Sequence, residues 1–145
     1  MCIRDRSFMD FSEQKDFEIN TTSLREIRAF SRNIFDKSKD LSLKKDDLVL
    51  AIAEAAHNIV KHAYNGGPHT DKMRVRISLN NNNLQIDIFD KGKPAIPENI
   101  KPRALDDIKP GGLGTFFIGQ IMDQVVFKTK KEEGWGNHLV LTKKI

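Results

Sequence analysis

Hydrophobic and polar positions along the chain switch between two periods. Phe17 and Ile19 flank a polar residue, and this short alternating run predicts a strand over residues 17–20. Leu24, Ile27, Phe30, Ile34 and Phe35 then recur at helical spacing and predict a helix over residues 22–37. Thr21, Thr22 and Ser23 offer N-caps, and Ser23 with Glu26 has the spacing of a capping box. After a polar connection over residues 36–43, a longer helix is predicted over residues 43–64. Ser42 or Asp46 would cap it, and Asn65-Gly66-Gly67-Pro68 ends it. Residues 73–80 alternate, residues 80–83 make a turn, and residues 84–90 alternate again, the pattern of a β-hairpin. Periodicity disappears over residues 91–112, which hold Pro94, Pro97, Pro102 and Pro110; a loop of that length is usually functional or mobile. Helical spacing returns over residues 113–122, and residues 125–130 and 138–143 read as two further strands.

The order strand, helix, helix, two strands, loop, helix, two strands predicts an α+β fold. Its form is a two-layer α/β sandwich, a mostly antiparallel sheet with helices on one face. A chain of 145 residues suffices for one domain with its own core. The opening MCIRDRSF has neither period and is like translated adapter read-through, with Met9 as an alternative start. Residues 1–14 are therefore expected to be a non-native or disordered leader, and residues 15–145 the domain.

Composition removes several function classes. The lone cysteine, Cys2, excludes an intramolecular disulfide framework and a cysteine-based zinc site, and suits a reducing cytoplasm. No apolar run reaches the roughly 18 residues of a membrane span, so no membrane partner is expected. A net charge of +4 is compatible with an anionic ligand. The lysines are scattered, which argues against direct nucleic-acid binding.

Three segments hold candidate chemistry. On a helix turning about 100° per residue, Leu48, Ile52, Ala55, Ile59 and Ala63 form the core stripe, widened by Val49, Ala56 and Val60. Glu54, Asn58 and His62 form a second stripe at its border. Taken alone these are rim residues with satisfied hydrogen bonds, such as Glu54 with Lys61 or Lys44. The strand ending at Asp90 is followed by Gly92, which alone reads as a turn. Gly111, Gly112 and Gly114 open a helix, leaving backbone amides at its positive end. That suits phosphate, although a tightly packed helix cap is the alternative, and the Lys-Ser/Thr ending of a Walker A loop is absent.

Together, EAAHNIVKHAY, DIFDKGKP and GGLGTFFIGQIMD resemble the N, G1 and G2 boxes of the GHKL (Bergerat-fold) ATP-binding superfamily. Within it the chain most resembles the small anti-sigma-factor serine/threonine kinases, over about residues 15–145. The resemblance implies ATP and Mg²⁺ as cofactors. It implies Asn58 as a magnesium ligand and Glu54 as the general base toward a serine or threonine hydroxyl. Asp90 would bond the adenine amino group, and Gly92 would let the backbone approach the base. Gly111, Gly112 and Gly114 would hinge a lid over residues 93–110 and present amides to phosphate, with Lys109 or Lys93 adding positive charge. Pro94, Leu113 and Thr115 lie in the same boxes, and His62 would sit near the nucleotide rim as a structural partner. The chain departs from the pattern in three places. Lys93-Pro94 stands where a second glycine is frequent. Thr115 stands where an aliphatic residue is common. Asn137-His138 replaces a small hydroxyl pair, which puts a water-mediated adenine contact in doubt.

The implied function is phosphorylation of a small STAS-domain anti-anti-sigma partner, with sequestration of a sigma factor as a second role. The implied assembly is a homodimer, for which Phe30, Ile34 and Phe35 offer an apolar face. Two other classes remain. One is a nucleotide-gated interaction module without kinase activity. The other is the catalytic half of a histidine kinase, for which the chain has too little left over for a dimerisation helix pair.

Overall fold

The structure, a computed structural model, describes residues 10–20, 22–63, 69–92, 118–128 and 134–145. Strand β1 (Phe11–Ile19) leads into helix α1 (Ser23–Phe35), a short helix α2 (Lys39–Leu43) and helix α3 (Lys45–Asn58). A π-helical turn, Ile59–Ala63, continues α3. Strands β2 (His69–Asn80) and β3 (Asn83–Asp90) follow, then a helical turn over residues 118–121, β4 (Gln124–Phe127) and β5 (Asn137–Lys144). The strands form one sheet in the order β1-β2-β3-β5-β4, and every neighbouring pair is antiparallel. The helices pack on one side of it, so the α+β sandwich expected from the sequence is the observed architecture.

Strand alternation decides which residues make the core. Met73, Val75, Ile77 and Leu79 of β2, Leu84, Ile86 and Ile88 of β3, and Leu139 and Leu141 of β5 share one face. They are buried in a single cluster with Leu24, Ile27, Ile34 and Phe35 of α1 and Leu48, Ile52, Ala55 and Ala56 of α3. Each of the larger side chains, the alanines apart, contributes about 1.5–3 kcal/mol when fully removed from water. The β2–β3 hairpin turns on Asn81 and Asn82, with φ of 51° and 66°. Two positive-φ residues between paired strands match a type I′ turn, and asparagine tolerates that region better than most residues.

Several expected boundaries move. β1 starts at Phe11 and pairs with β2 as far as Leu79, so residues 11–14, grouped with the leader by sequence pattern, are strand. Residues 1–9 lie outside the described residues. The single helix of residues 43–64 is α2, a turn at Lys44, α3 and the π turn. Neither Ser42 nor Asp46 is a cap: the Ser38 hydroxyl accepts from Leu41 N at 3.5 Å and starts α2. The α1 cap is not a Ser23–Glu26 box either. Asn20 Oδ1 accepts from Ser23 N at 2.8 Å and from Ser23 Oγ at 3.0 Å. The apolar face assigned to a dimer belongs to the core instead. Ile34 and Phe35 are buried, and Phe30 packs edge-on against Phe17 at 5.6 Å between ring centroids.

The sheet face away from the helices has a different chemistry. Phe89 is fully buried there, stacked on His138 at 4.2 Å, with the Arg76 guanidinium 5.0 Å from its centroid. His138 Nε2 donates to Asp87 Oδ2 at 2.7 Å, and Gln85 Nε2 donates to Asp87 Oδ1 at 2.9 Å. Arg74 grips Asp16 of the edge strand with two hydrogen bonds and lies 5.1 Å from the centroid of Trp135. Among the described residues no helix is long and apolar enough to cross a membrane.

Candidate functional site

The register of β3 and β5 builds one part of the candidate site. Asp90 ends β3 and pairs with Asn137, the first residue of β5. Both continue the core-facing files, Asp90 after Ile86 and Ile88, Asn137 ahead of Leu139 and Leu141. Polar groups thus stand where the apolar rows run out, on the face the helices cover. Asp90 is 3% exposed and Asn137 9% exposed, so each needs bonding partners inside the protein.

Among the described residues, those partners include each other and the turn at Gly92. Asp90 Oδ1 accepts from the Gly92 backbone N–H at 2.8 Å and from Asn137 Nδ2 at 2.7 Å. The second hydrogen of Asn137 Nδ2 goes to the Gly92 carbonyl at 3.2 Å. The Gly136 N–H donates to the Asp90 carbonyl at 3.0 Å and closes the strand ends together. Burial pushes the Asp90 carboxyl above its ordinary value; the bonds from Asn137 and Gly92 N–H oppose the rise, and the charge of Asp71 adds to it. Both described bonds fall on Oδ1, so Oδ2 is the oxygen with capacity for an incoming donor. Beside this set, Lys91 Nζ lies 5.4 Å from the Trp135 ring centroid, and Trp135 packs on Phe89 at 5.7 Å.

Two further candidates lie on α3. Glu54 and Asn58 are four residues apart in continuous α-helix and both are half-buried, at the border of the buried Leu48–Ile52–Ala55–Ala56 stripe. Asn58 is the last α-helical residue before the π turn. Bonds of the i→i+5 type begin there and displace later residues from the 3.6-residue stripe, and such turns are frequent at functional positions. The single stripe of Glu54, Asn58 and His62 therefore holds for its first two members. His62 lies in the π turn and its side chain is outside the described residues. So are Lys93, Pro94, the whole of residues 93–110, and Gly111, Gly112, Leu113, Gly114 and Thr115.

Chemically, the described part presents a buried carboxylate acceptor beside a backbone turn, plus one amide and one carboxylate on a helix. Among the described residues no three His, Cys, Asp or Glu side chains cluster to hold a metal. The donor set fits Mg²⁺ only in its sparse mode, in which one protein oxygen such as the Asn58 amide is joined by water and phosphate oxygens. Sequence reading singled out every element of this site except Asn137, which it registered only as a departure. The available signal was the strand register: counting back by twos from Leu141 and Leu139 puts Asn137 on the core face, opposite Asp90.

Several known proteins are similar to this chain. The serine-protein kinase RsbW of Halalkalibacterium halodurans is 34% identical over 106 residues, covering 68% of this chain and 61% of that protein. The serine-protein kinase RsbW of Bacillus licheniformis is 34% identical over 92 residues, 55% of each chain. The Staphylococcus aureus (strain JH9) protein of the same name is 32% identical over 97 residues, 61% of this chain and 60% of its own length. The chain thus spans between 55% and 61% of the curated relatives it matches. The histidine kinase-like ATPase domain matches residues 17–143, from the end of β1 to the end of β5. With its antiparallel sheet, one helical layer and this match along nearly its whole length, the chain belongs to the histidine kinase-like ATPase domain family.

Proposed function

We propose that this chain is an ATP-dependent serine/threonine protein kinase of the anti-sigma-factor type. Its substrate would be a small STAS-domain anti-anti-sigma protein, and sigma-factor sequestration a second role. The observation that carries the reading is Asp90, a nearly buried carboxylate at the end of β3 whose Oδ1 is already engaged by Gly92 and Asn137. A carboxylate in that position accepts from an exocyclic amino group and repels a carbonyl, which selects adenine. The relatives named serine-protein kinases support the choice of activity.

The remaining roles are those that the family resemblance implies. Glu54 takes the proton of the attacking serine or threonine hydroxyl as its oxygen bonds to the γ-phosphorus and the bond to the ADP oxygen breaks. Asn58, one turn further on, would hold Mg²⁺ through its amide oxygen. When bound, Mg²⁺ neutralises charge on the β- and γ-phosphoryl oxygens. Little covalent work is left to the protein, and alignment supplies most of the acceleration. Cytoplasmic location and a homodimer are part of the proposal through the family resemblance, without the α1 face once assigned to the dimer.

The test is phosphotransfer from γ-labelled ATP to a small STAS-domain protein. Wild type should produce phosphoserine or phosphothreonine. Glu54→Gln should keep ADP affinity while losing roughly 10²–10⁴-fold in transfer rate, the range for a positioned general base. Equal labelling by both removes Glu54 from its role. ATP binding without transfer to any candidate selects the nucleotide-gated interaction module instead.

A further inference from the structure

We propose that Asn137 is the positioning residue that sets the base preference of this pocket, by fixing the Asp90 carboxylate as a hydrogen-bond acceptor toward the bound base. The proposal rests on the reading of the site as an adenine-nucleotide pocket and adds to it a determinant that the resemblance left in doubt.

The argument starts from what a primary amide can do. Asn137 Nδ2 carries two hydrogens, and two acceptors lie in reach, Asp90 Oδ1 at 2.7 Å and the Gly92 carbonyl at 3.2 Å. Rotating the amide by half a turn would set its oxygen against both, so its orientation is fixed by its neighbours. A serine or threonine hydroxyl offers one hydrogen and makes only one of these bonds. Asparagine therefore ties the carboxylate to the turn that carries Gly92, and Gly92 N–H completes the ring on the same oxygen at 2.8 Å.

The consequence concerns the proton as well as the position. Burial favours the neutral acid at Asp90, and the repulsion from Asp71 on β2 acts the same way. Against them stand the donors, Asn137 first and Gly92 N–H second. The other charged groups nearby are engaged elsewhere. The Lys91 ammonium lies over Trp135, and the Asp87–His138 pair lies on the opposite face of the sheet. Remove the Asn137 donor and burial prevails over a wider pH range. A protonated Asp90 presents O–H where the carboxylate presented a lone pair. That group is a donor, and it matches the carbonyl of a hypoxanthine ring rather than the amino group of adenine. Asn137 thus makes preference for an amino-bearing purine persist at mildly acidic pH.

The experiment measures Kd for ADP and for inosine diphosphate, which replaces the amino group by a carbonyl, from pH 5.5 to 8.5. Wild type, Asn137→Ala and Asn137→Thr are compared, with thermal melts as a folding control. Wild type should prefer ADP by about 100-fold, the worth of one hydrogen bond to a charged group, with little change across the range. Asn137→Ala should lose at least tenfold of that preference at pH 6 and regain part of it by pH 8.5. Asn137→Thr, with one donor, should fall between and carries the test if the alanine variant does not fold. An unchanged ADP-to-inosine-diphosphate ratio and pH profile in a folded variant overturns the proposal. So does an equal, pH-independent weakening of both nucleotides, which is what mere loss of packing gives. If wild type binds neither nucleotide, the adenine-pocket reading itself fails, a result distinct from either of these.

Discussion

Replacing Asp90 by asparagine deletes one charge and almost no volume, and the structure makes its two effects run in opposite directions. Consider stability first. Burial raises the Asp90 carboxyl above its ordinary value, so between the unfolded and folded values the native state holds more protons than the unfolded one. The group's favourable contribution is present below the unfolded value and is lost as pH rises through the folded one, leaving a buried charge at neutral pH. Asparagine carries no charge there, and its Oδ1 still accepts from Gly92 N–H and Asn137 Nδ2, the two bonds now at 2.8 and 2.7 Å. The variant should be as stable as the parent or more so at pH 7.5, by on the order of 1 kcal/mol, worth roughly 3 °C in Tm. The gain should vanish toward pH 4. Affinity goes the other way. With Oδ1 held by Gly92 and Asn137, the atom facing the base becomes an N–H₂ donor opposed to the adenine amino group. The lost charge-assisted bond is worth about 1.5–3 kcal/mol, or some 10- to 150-fold in Kd. Urea unfolding at pH 4, 5.5 and 7.5 and titration with ADP measure both. A variant that binds ADP like the parent, or that is clearly destabilised at pH 7.5, refutes the reasoning.

Two other substitutions probe separate parts of the site. Asn58→Ala should weaken Mg-ATP about tenfold while leaving ADP in EDTA nearly unchanged, since only one oxygen ligand is lost; equal weakening in both buffers would show a packing role instead. Phe89→Ala removes a side chain with 0% exposure on the outer face and should cost about 3–5 kcal/mol. It should also alter Trp135 fluorescence, because the two rings pack at 5.7 Å; an unchanged emission spectrum would contradict that contact.

How legible the chain was depends on what each stretch packs against. β3 and β5 show their alternation because Leu84, Ile86 and Ile88, and Leu139 and Leu141, face a continuous helical layer. β1 hid most of its length. Its core-side positions include Glu13 and Lys15 as well as Phe11, Phe17 and Ile19, because an edge strand meets the helical layer only along part of its run. Glu13 reaches Lys37 at 2.8 Å, and charges of this kind also protect an exposed edge from pairing. The α2–α3 break was masked by Leu43, an apolar residue that is 78% exposed and so carries no information about the core. The π turn after Asn58 is invisible to a count based on 3.6 residues per turn. For the candidate site, the resemblance of local segments to known boxes was enough to single out Glu54, Asn58, Asp90 and Gly92 as candidates. Asn137 is not local to any of them: it lies 47 residues from Asp90 and becomes a partner only through the sheet register.

That register also explains how the fold tolerates a polar site at the end of its core. Two apolar files, Leu84–Ile86–Ile88 and Leu141–Leu139, run side by side and finish in Asp90 and Asn137. Left unpaired, either group would carry a large desolvation cost; side by side, each answers the other's bonding needs. Directly behind them on the outer face, the next cross-strand pair is Phe89 with His138, stacked at 4.2 Å, and His138 is pinned in turn by Asp87. Cross-strand pairs of this kind are the units that hold two strands in register. A slip of β3 by one residue would turn Asp90 out of the core face, away from Asn137, and carry Phe89 into it, so the aromatic pair on one face protects the placement of the polar pair on the other. The sequence DIFD on β3 therefore encodes both layers at once: its isoleucine belongs to the core, its first aspartate and phenylalanine lock the strand pair from outside, and its last aspartate closes the core face with a buried carboxylate held by Gly92 and Asn137.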